Sequence, residues 1–290
     1  MSDSQSSSPR VPWMAIVWFG ALLIACYAPV LARLVKQWEN DEDMGHGFFV
    51  PVIAAYIAWQ KREEILNAVG APNGWGLMLV IYSAVQLTVA TLGAEIFLAR
   101  TAFVLAAIGA FLYLGGTGAV RALAFPLFLL FFMIPIPNIF YNMITFPLQI
   151  LASQMAEFVL MFLGFPVLRE GNVLELAGQR LQVVEACSGI RSLLSLSFLS
   201  LVYGYFFENR MGMRVTLFFL TVPVALVANA SRVTTTGVLS EIRPELARGF
   251  FHSASGWVIF MVALLLLVAI HQALTLFHRY IYGKRQLPSE

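Results

Sequence analysis

Three residues in an otherwise oily chain are of types that together do acyl chemistry. Cys187 stands in Val-Val-Glu-Ala-Cys-Ser-Gly-Ile-Arg-Ser (183–192), Arg232 closes Asn-Ala-Ser-Arg (229–232), and His252 sits in Phe-His-Ser-Ala-Ser-Gly-Trp (251–257). A thiol attacks as thiolate, and a neighbouring cation lowers its pKa from about 8.5 into the range of about 3.5–7.5. An imidazole, with an ordinary pKa of about 6.5, takes up and returns a proton near working pH. A guanidinium can hold the oxyanion of a tetrahedral intermediate. The three make an acyl-transfer site if the fold brings them together.

Whether they meet depends on what carries them. With 59% of its residues hydrophobic, 12% charged and a mean hydropathy of +0.79, the chain has more apolar surface than one soluble core can hide. It reads as an all-α integral membrane protein surrounded by membrane lipids. The net charge of +2 comes from scattered Lys and Arg with no basic patch interleaved with aromatics, which argues against nucleic acid as a partner. Stretches of about 17–25 apolar residues, enough to cross a bilayer, fall near 13–35, 75–94, 96–115, 190–207, 215–231 and 255–277. Shorter or proline-marked ones near 47–60 and 119–135 bring the expectation to about eight spans. No linker divides them, so residues 1–290 are expected to form one domain, with the Ser-rich residues 1–10 as a disordered tail.

With eight spans, the basic residues Lys61, Arg62, Arg121, Arg210, Arg214, Arg279, Lys284 and Arg285 fall on one side, which the positive-inside rule makes cytoplasmic. Both termini are then cytoplasmic, and Arg33 and Lys36 stand on the minority side. The acidic loop 39–43 and the segments 135–189 and 232–254 face outward. Two cysteines make no disulfide framework, so Cys26 and Cys187 read as free thiols. Leu-Ile-Ala-Cys at 23–26 resembles a lipoprotein cleavage box, but the apolar run continues past it as a retained span.

Residues 138–163 are harder to place. Asn138, Asn142, Thr145, Gln149, Ser153 and Glu157 recur every three or four positions, a single polar stripe on an apolar helix. An interfacial or re-entrant amphipathic helix and a polar seam between packed spans both fit. Downstream, alternation through 173–176 and 181–184 around Ala177-Gly178-Gln179 predicts a small extracytoplasmic hairpin in residues 169–186 that delivers Cys187 to the mouth of the next span.

Span counting then brings the chemistry together. Cys187 precedes the span near 190–207, Arg232 follows the one near 215–231, and His252 precedes the one near 255–277, so the zigzag path puts all three at one membrane face. A span of 17 residues is roughly 25 Å long against about 30 Å of hydrocarbon, which sets Arg232 at or slightly below the outer boundary. A cation that deep faces protein or water rather than lipid.

These residues resemble the exosortase/archaeosortase family of multispanning cysteine transpeptidases. The resemblance rests on Glu-Ala-Cys-Ser-Gly-Ile-Arg-Ser (185–192), Asn-Ala-Ser-Arg (229–232), Phe-His-Ser-Ala-Ser-Gly-Trp (251–257) and Gly-His-Gly-Phe-Phe-Val-Pro (45–51), whose order fits from about residue 40 to 277. It implies catalytic roles for Cys187, Arg232 and His252, the histidine pointing to the bacterial type and hence to the cell inner membrane. It also implies substrates that are membrane proteins with a C-terminal Pro-Glu-Pro-type signal, one transmembrane helix and a basic cluster. A thioester at Cys187 would be resolved by a surface acceptor whose identity the sequence does not carry, often where exopolysaccharide is made. No metal or cofactor is implied.

Supporting roles follow from spacing. Arg191, one turn beyond Cys187, could bind an acidic substrate residue or support the thiolate, or anchor to a lipid headgroup. Glu185 could orient Arg232 or His252, or solvate the hairpin. Asn229 shares a helix face with Arg232 and could steady its guanidinium. His46, between two glycines, carries the family signature and is a candidate substrate contact. His271 and His278, at the opposite end of the last span, read as ordinary interfacial residues. The rival classes are a polytopic transporter, which needs polar residues at mid-bilayer in several spans, and a non-catalytic component of polysaccharide assembly. Zinc-protease His-Glu-x-x-His and serine Gly-x-Ser-Gly motifs are absent from the sequence.

Overall fold

The structure, a computed structural model, describes residues 13–178, 180–182, 189–242 and 250–283. Helices dominate: α1 Trp13–Asn40, α2 Phe49–Gln60, α3 Arg62–Ala68, α4 Gly74–Leu92, α5 Ile96–Ala122, α6 Ala124–Leu129, α7 Asn138–Phe162, α8 Gly189–Phe207, α9 Met211–Ile242 and α10 Phe250–Gly283. A three-stranded sheet, β1 Val167–Glu170, β2 Val173–Leu176 and β3 Arg180–Gln182, lies between α7 and α8 in the sequence. Six stretches among the described residues are long and apolar enough to cross a membrane: Val17–Asn40, Gly74–Leu92, Ile96–Ala122, Asn138–Phe162, Met211–Ile242 and Gly256–Tyr280. Two apolar stretches are shorter, Ala124–Met133 and Ser192–Phe207. The segment expected to span near 47–60 is the 12-residue α2, roughly 18 Å long, and falls short of a full crossing.

Contacts within the chain define two compact units, Met1–Pro137 and Asn138–Glu290. In the first, α4 and α5 pack backbone to backbone. A Cβ on Gly76 would collide with the Tyr113 amide and lie 2.7 Å from the Gly109 carbonyl oxygen, so only glycine permits this approach. Tyr27 Oη donates to the carbonyls of Ser83 and Ala102 at 3.3 and 3.2 Å, fastening α1 to both helices. Gly116, at φ +72° and ψ −174°, kinks α5 where the Gly70 amide meets the Gly115 carbonyl at 3.0 Å. Cys26 is exposed midway along α1, which runs on past it without a break.

The second unit explains the polar stripe of α7. Gln149 Oε1 accepts from Asn172 Nδ2 at 3.2 Å, Ser153 Oγ donates to the Gly171 carbonyl at 3.1 Å, and Glu157 Oε2 pairs with Arg169 Nε at 2.7 Å. This half of the stripe is a seam that receives the β1–β2 hairpin, and α7 is itself long and apolar enough to cross a membrane. The expected β2–β3 hairpin forms, with Leu174 opposite Leu181. It gains β1, which pairs antiparallel with β2 across a turn at Gly171, φ +64°. Leu174, Leu176 and Leu181 pack with Ala156, Leu160 and Val233 in one buried cluster.

The sheet carries Arg169, Glu170, Glu175 and Arg180 and packs its leucines against Val233 of α9. The 22 residues from Met211 to Arg232, roughly 33 Å of helix, match the hydrocarbon thickness. The polar sequence after Ser231 ends the apolar run but not the helix, which continues ten residues past Arg232 to Ile242. Thr234 and Thr235 satisfy their hydroxyls on the carbonyls of Ala230 and Ser231 and so fit the helix without breaking it.

Candidate functional site

Asn229 and Arg232 lie three residues apart on α9, one face of one helix. Asn229 is buried and is the polar member of a small cleft otherwise lined by Leu148, Leu193, Val222, Ala225 and Leu226. Arg232 is half-buried, and its Nε is enclosed without a hydrogen-bond partner among the described residues. Its guanidinium rests against α10: a Cβ on Gly256 would stand 3.0 Å from Cζ and from Nη2 of Arg232.

Helix register decides what else shares this level. Ser197 Oγ of α8 and Thr221 Oγ1 of α9 are 3.1 Å apart, and Leu193 and Ala225 line the same cleft. Carried to the start of α8, this antiparallel register sets Gly189 level with Asn229. On the other side, Arg232 meets Gly256, and Ala225 and Ala263 share one core cluster. His252 lies one helical turn before Gly256, roughly 6 Å further along α10. Three helices therefore bring Gly189, Arg232 and the first turns of α10 to the same end.

The sequence candidates divide accordingly. Cys187 and Glu185 lie outside the described residues; in the sequence they fall between the end of β3 at Gln182 and the start of α8 at Gly189. Arg191 and His252 hold positions in the first turns of α8 and α10. His46 lies in a short 3-10 turn, Glu42–Phe48, of the first unit. It is only 7% exposed, and its Nε2 is 3.2 Å from the Phe132 carbonyl. Burial pushes its pKa down, against hydrogen bonding to the main chain of Phe132 and Asp43, which favours the charged form. Trp38 Nε1 donates to the neighbouring Met133 carbonyl at 3.0 Å, so His46 and Trp38 together pin the residues that follow α6.

The expectation of an ordinary interfacial His271 is overturned. His271 is buried, with Nδ1 at 2.9 Å from Tyr203 Oη and Nε2 at 3.2 Å from Glu208 Oε2. Glu208 is buried too, and its other oxygen accepts from the Arg210 amide at 2.9 Å while its carbonyl accepts from Arg214 Nε at 2.7 Å. Burial alone would raise the Glu208 pKa, but the Arg210 amide, His271 and the Arg210 charge outweigh it and hold the carboxyl below its ordinary value. This network closes the α8–α9 turn onto α10 at the end away from Arg232. Its sequence signal was a lone Glu after an apolar run, which helical periodicity alone does not pair with a histidine 63 residues later.

Apolar helices long enough to span, with an arginine seated in a helix–helix contact beside the starts of two neighbouring helices, define a multi-pass membrane protein. The family model for transmembrane exosortases matches residues 38–269, most of the chain and every candidate above except His271 and His278. The protein belongs to the transmembrane exosortase family. No curated protein and no solved structure matches the chain.

Proposed function

We propose that the protein is a membrane cysteine transpeptidase that removes the C-terminal sorting signal of exported membrane proteins and hands them to a surface acceptor. The signal is of Pro-Glu-Pro type followed by a transmembrane helix and a basic cluster. The enzyme sits in the cell inner membrane with both termini cytoplasmic and the site at the outer face. His252 takes the proton of Cys187, and the thiolate attacks the scissile carbonyl carbon. The oxyanion that forms faces the Arg232 guanidinium. As the C–N bond breaks, His252 returns the proton to the leaving amine, and the substrate stays on Cys187 as a thioester. The acceptor nucleophile then gives its proton to His252 as it attacks the thioester carbon, and the thiolate departs. Arg191 meets the acidic residue of the signal, Glu185 orients the charged pair, and Asn229 steadies Arg232.

The observation that carries this reading is that Gly189, Arg232 and Gly256 stand at the same end of α8, α9 and α10, within about one helical turn of one another, in a chain whose family match includes residues 185–257. A transporter would gather its polar residues at mid-membrane instead. Cys187→Ala, co-expressed with a tagged sorting-signal substrate, is expected to abolish processing while the membrane content of the enzyme stays constant. Normal processing by that variant overturns the nucleophile.

A further inference from the structure

Two kinds of glycine occur at the helix contacts of this protein. At Gly76 an added Cβ would strike main-chain atoms of the neighbouring helix, so the glycine serves backbone approach. At Gly256 the three nearest atoms to an added Cβ all belong to one side chain: Cζ and Nη2 of Arg232 at 3.0 Å and Nε at 3.4 Å. The space a side chain would fill is occupied by the guanidinium. Among the described residues Nε has no hydrogen-bond partner, and α10 at this point bounds the space open to the head of Arg232.

We propose that Gly256 is a positioning residue, the seat that holds the Arg232 guanidinium at the level of the reaction; this rests on the catalytic reading above. The logic is steric. A methyl group at 3.0 Å is tighter than an ordinary van der Waals contact, so Gly256→Ala moves the guanidinium by a few tenths of an ångström, and a branched side chain evicts it. Catalytic groups must be held within about 0.5 Å of the productive geometry, and a misplacement of about 1 Å can cost a factor of about 100. The seat also sits on the helix that carries His252 one turn earlier, so one rigid element sets the positions of both groups.

The test uses the full-length protein in membranes, in a Cys26→Ser background that leaves Cys187 as its one thiol. Gly256→Ala is expected to lower kcat/KM for a sorting-signal substrate about tenfold and Gly256→Val about 100-fold or more, with kcat bearing the loss. The pH midpoint for alkylation of Cys187 should rise in Gly256→Val as it does in Arg232→Ala, because both remove the same cation from the thiol. A thermal-midpoint cycle reads the seat without reference to catalysis: Gly256→Val should destabilise the protein when Arg232 is present and do so far less in the Arg232→Ala background. Equal destabilisation in both backgrounds overturns the seat and makes Gly256 a packing residue. If the thermal cycle couples as expected but Arg232→Ala processes normally, the seat stands and the catalytic reading of Arg232 fails.

Discussion

The amide of Gly178 donates to Glu241 Oε1 at 2.9 Å, tying the turn between β2 and β3 to the last residues of α9. This is the strand pair that ends five residues before Cys187. A charge-assisted bond of this kind contributes about 1 kcal/mol or more. It fixes the Gly178 end of β2 against α9. Glu241→Ala is expected to slow substrate processing several-fold with only a small fall in thermal midpoint, whereas Glu241→Gln, which keeps an acceptor oxygen, should retain most activity. A pulse-chase of substrate processing checks both.

Arg232→Lys should cost about 100-fold in kcat/KM although the charge survives. The seat against Gly256 accepts a planar group, and a point charge on a thin stem does not reproduce its fork. His252→Ala should lose comparable activity at neutral pH and recover part of it at alkaline pH, where the thiol ionises without a base. Flat pH dependence in that variant would remove His252 from proton transfer.

Glu208 and His271 make the opposite end of the second unit sensitive to acid. The Glu208 carboxyl is held below its ordinary value, so the stability it supplies is complete above the unfolded carboxylate pKa of about 4.3. That stability is lost as the pH falls through the lower folded value. Glu208→Gln should remove this acid-limb dependence of the thermal midpoint. His271→Ala leaves a buried carboxylate short of a partner and should destabilise by about 3–5 kcal/mol, measured by thermal unfolding in detergent.

Gly116 is held at φ +72° and ψ −174°, a region nearly closed to other residues, and an added Cβ would lie 2.7 Å from the Ala71 carbonyl oxygen. Gly116→Ala should cost about 1–3 kcal/mol. Gly212→Ala, where a Cβ meets nothing within 4 Å, serves as the neutral control in the same thermal assay.

Arg100 is 5% exposed within α5, and its Nε has no hydrogen-bond partner. A cation in a spanning helix costs about 2.5–3.5 kcal/mol at the centre and less near an end, and Arg100 is the fifth residue of α5. Arg100→Met should therefore raise the thermal midpoint, while a fall would mean that the guanidinium has a counter-charge in the membrane.

Much of this was legible in order along the chain. The apolar runs announced a membrane protein, the alternation at 173–176 announced a strand, and the spacing of Asn229 and Arg232 put them on one helix face, because hydrophobic length and periodicity are local properties. The motif at 185–192 and those at 229–232 and 251–257 carried the family resemblance in the same local way. The stripe from Asn138 to Glu157 was visible as a stripe, but what it faces was not: Gln149, Ser153 and Glu157 find partners 12 to 23 residues later, in a hairpin whose first strand, Val-Leu-Arg-Glu, does not alternate apolar with polar residues. His271 passed for an interfacial residue for the same reason, since its partners Tyr203 and Glu208 lie on another helix and its turn.

What the sequence by itself determined is therefore the membrane class, the family and the kinds of residue available for chemistry. Only the tertiary structure decided that Arg232 rests on Gly256, that the polar side of α7 receives a sheet, and that a buried glutamate locks the far end of α10. Those facts depend on which turns of separate helices stand level with one another, and register between helices is fixed by the packing of many side chains at once rather than by any stretch that can be read alone.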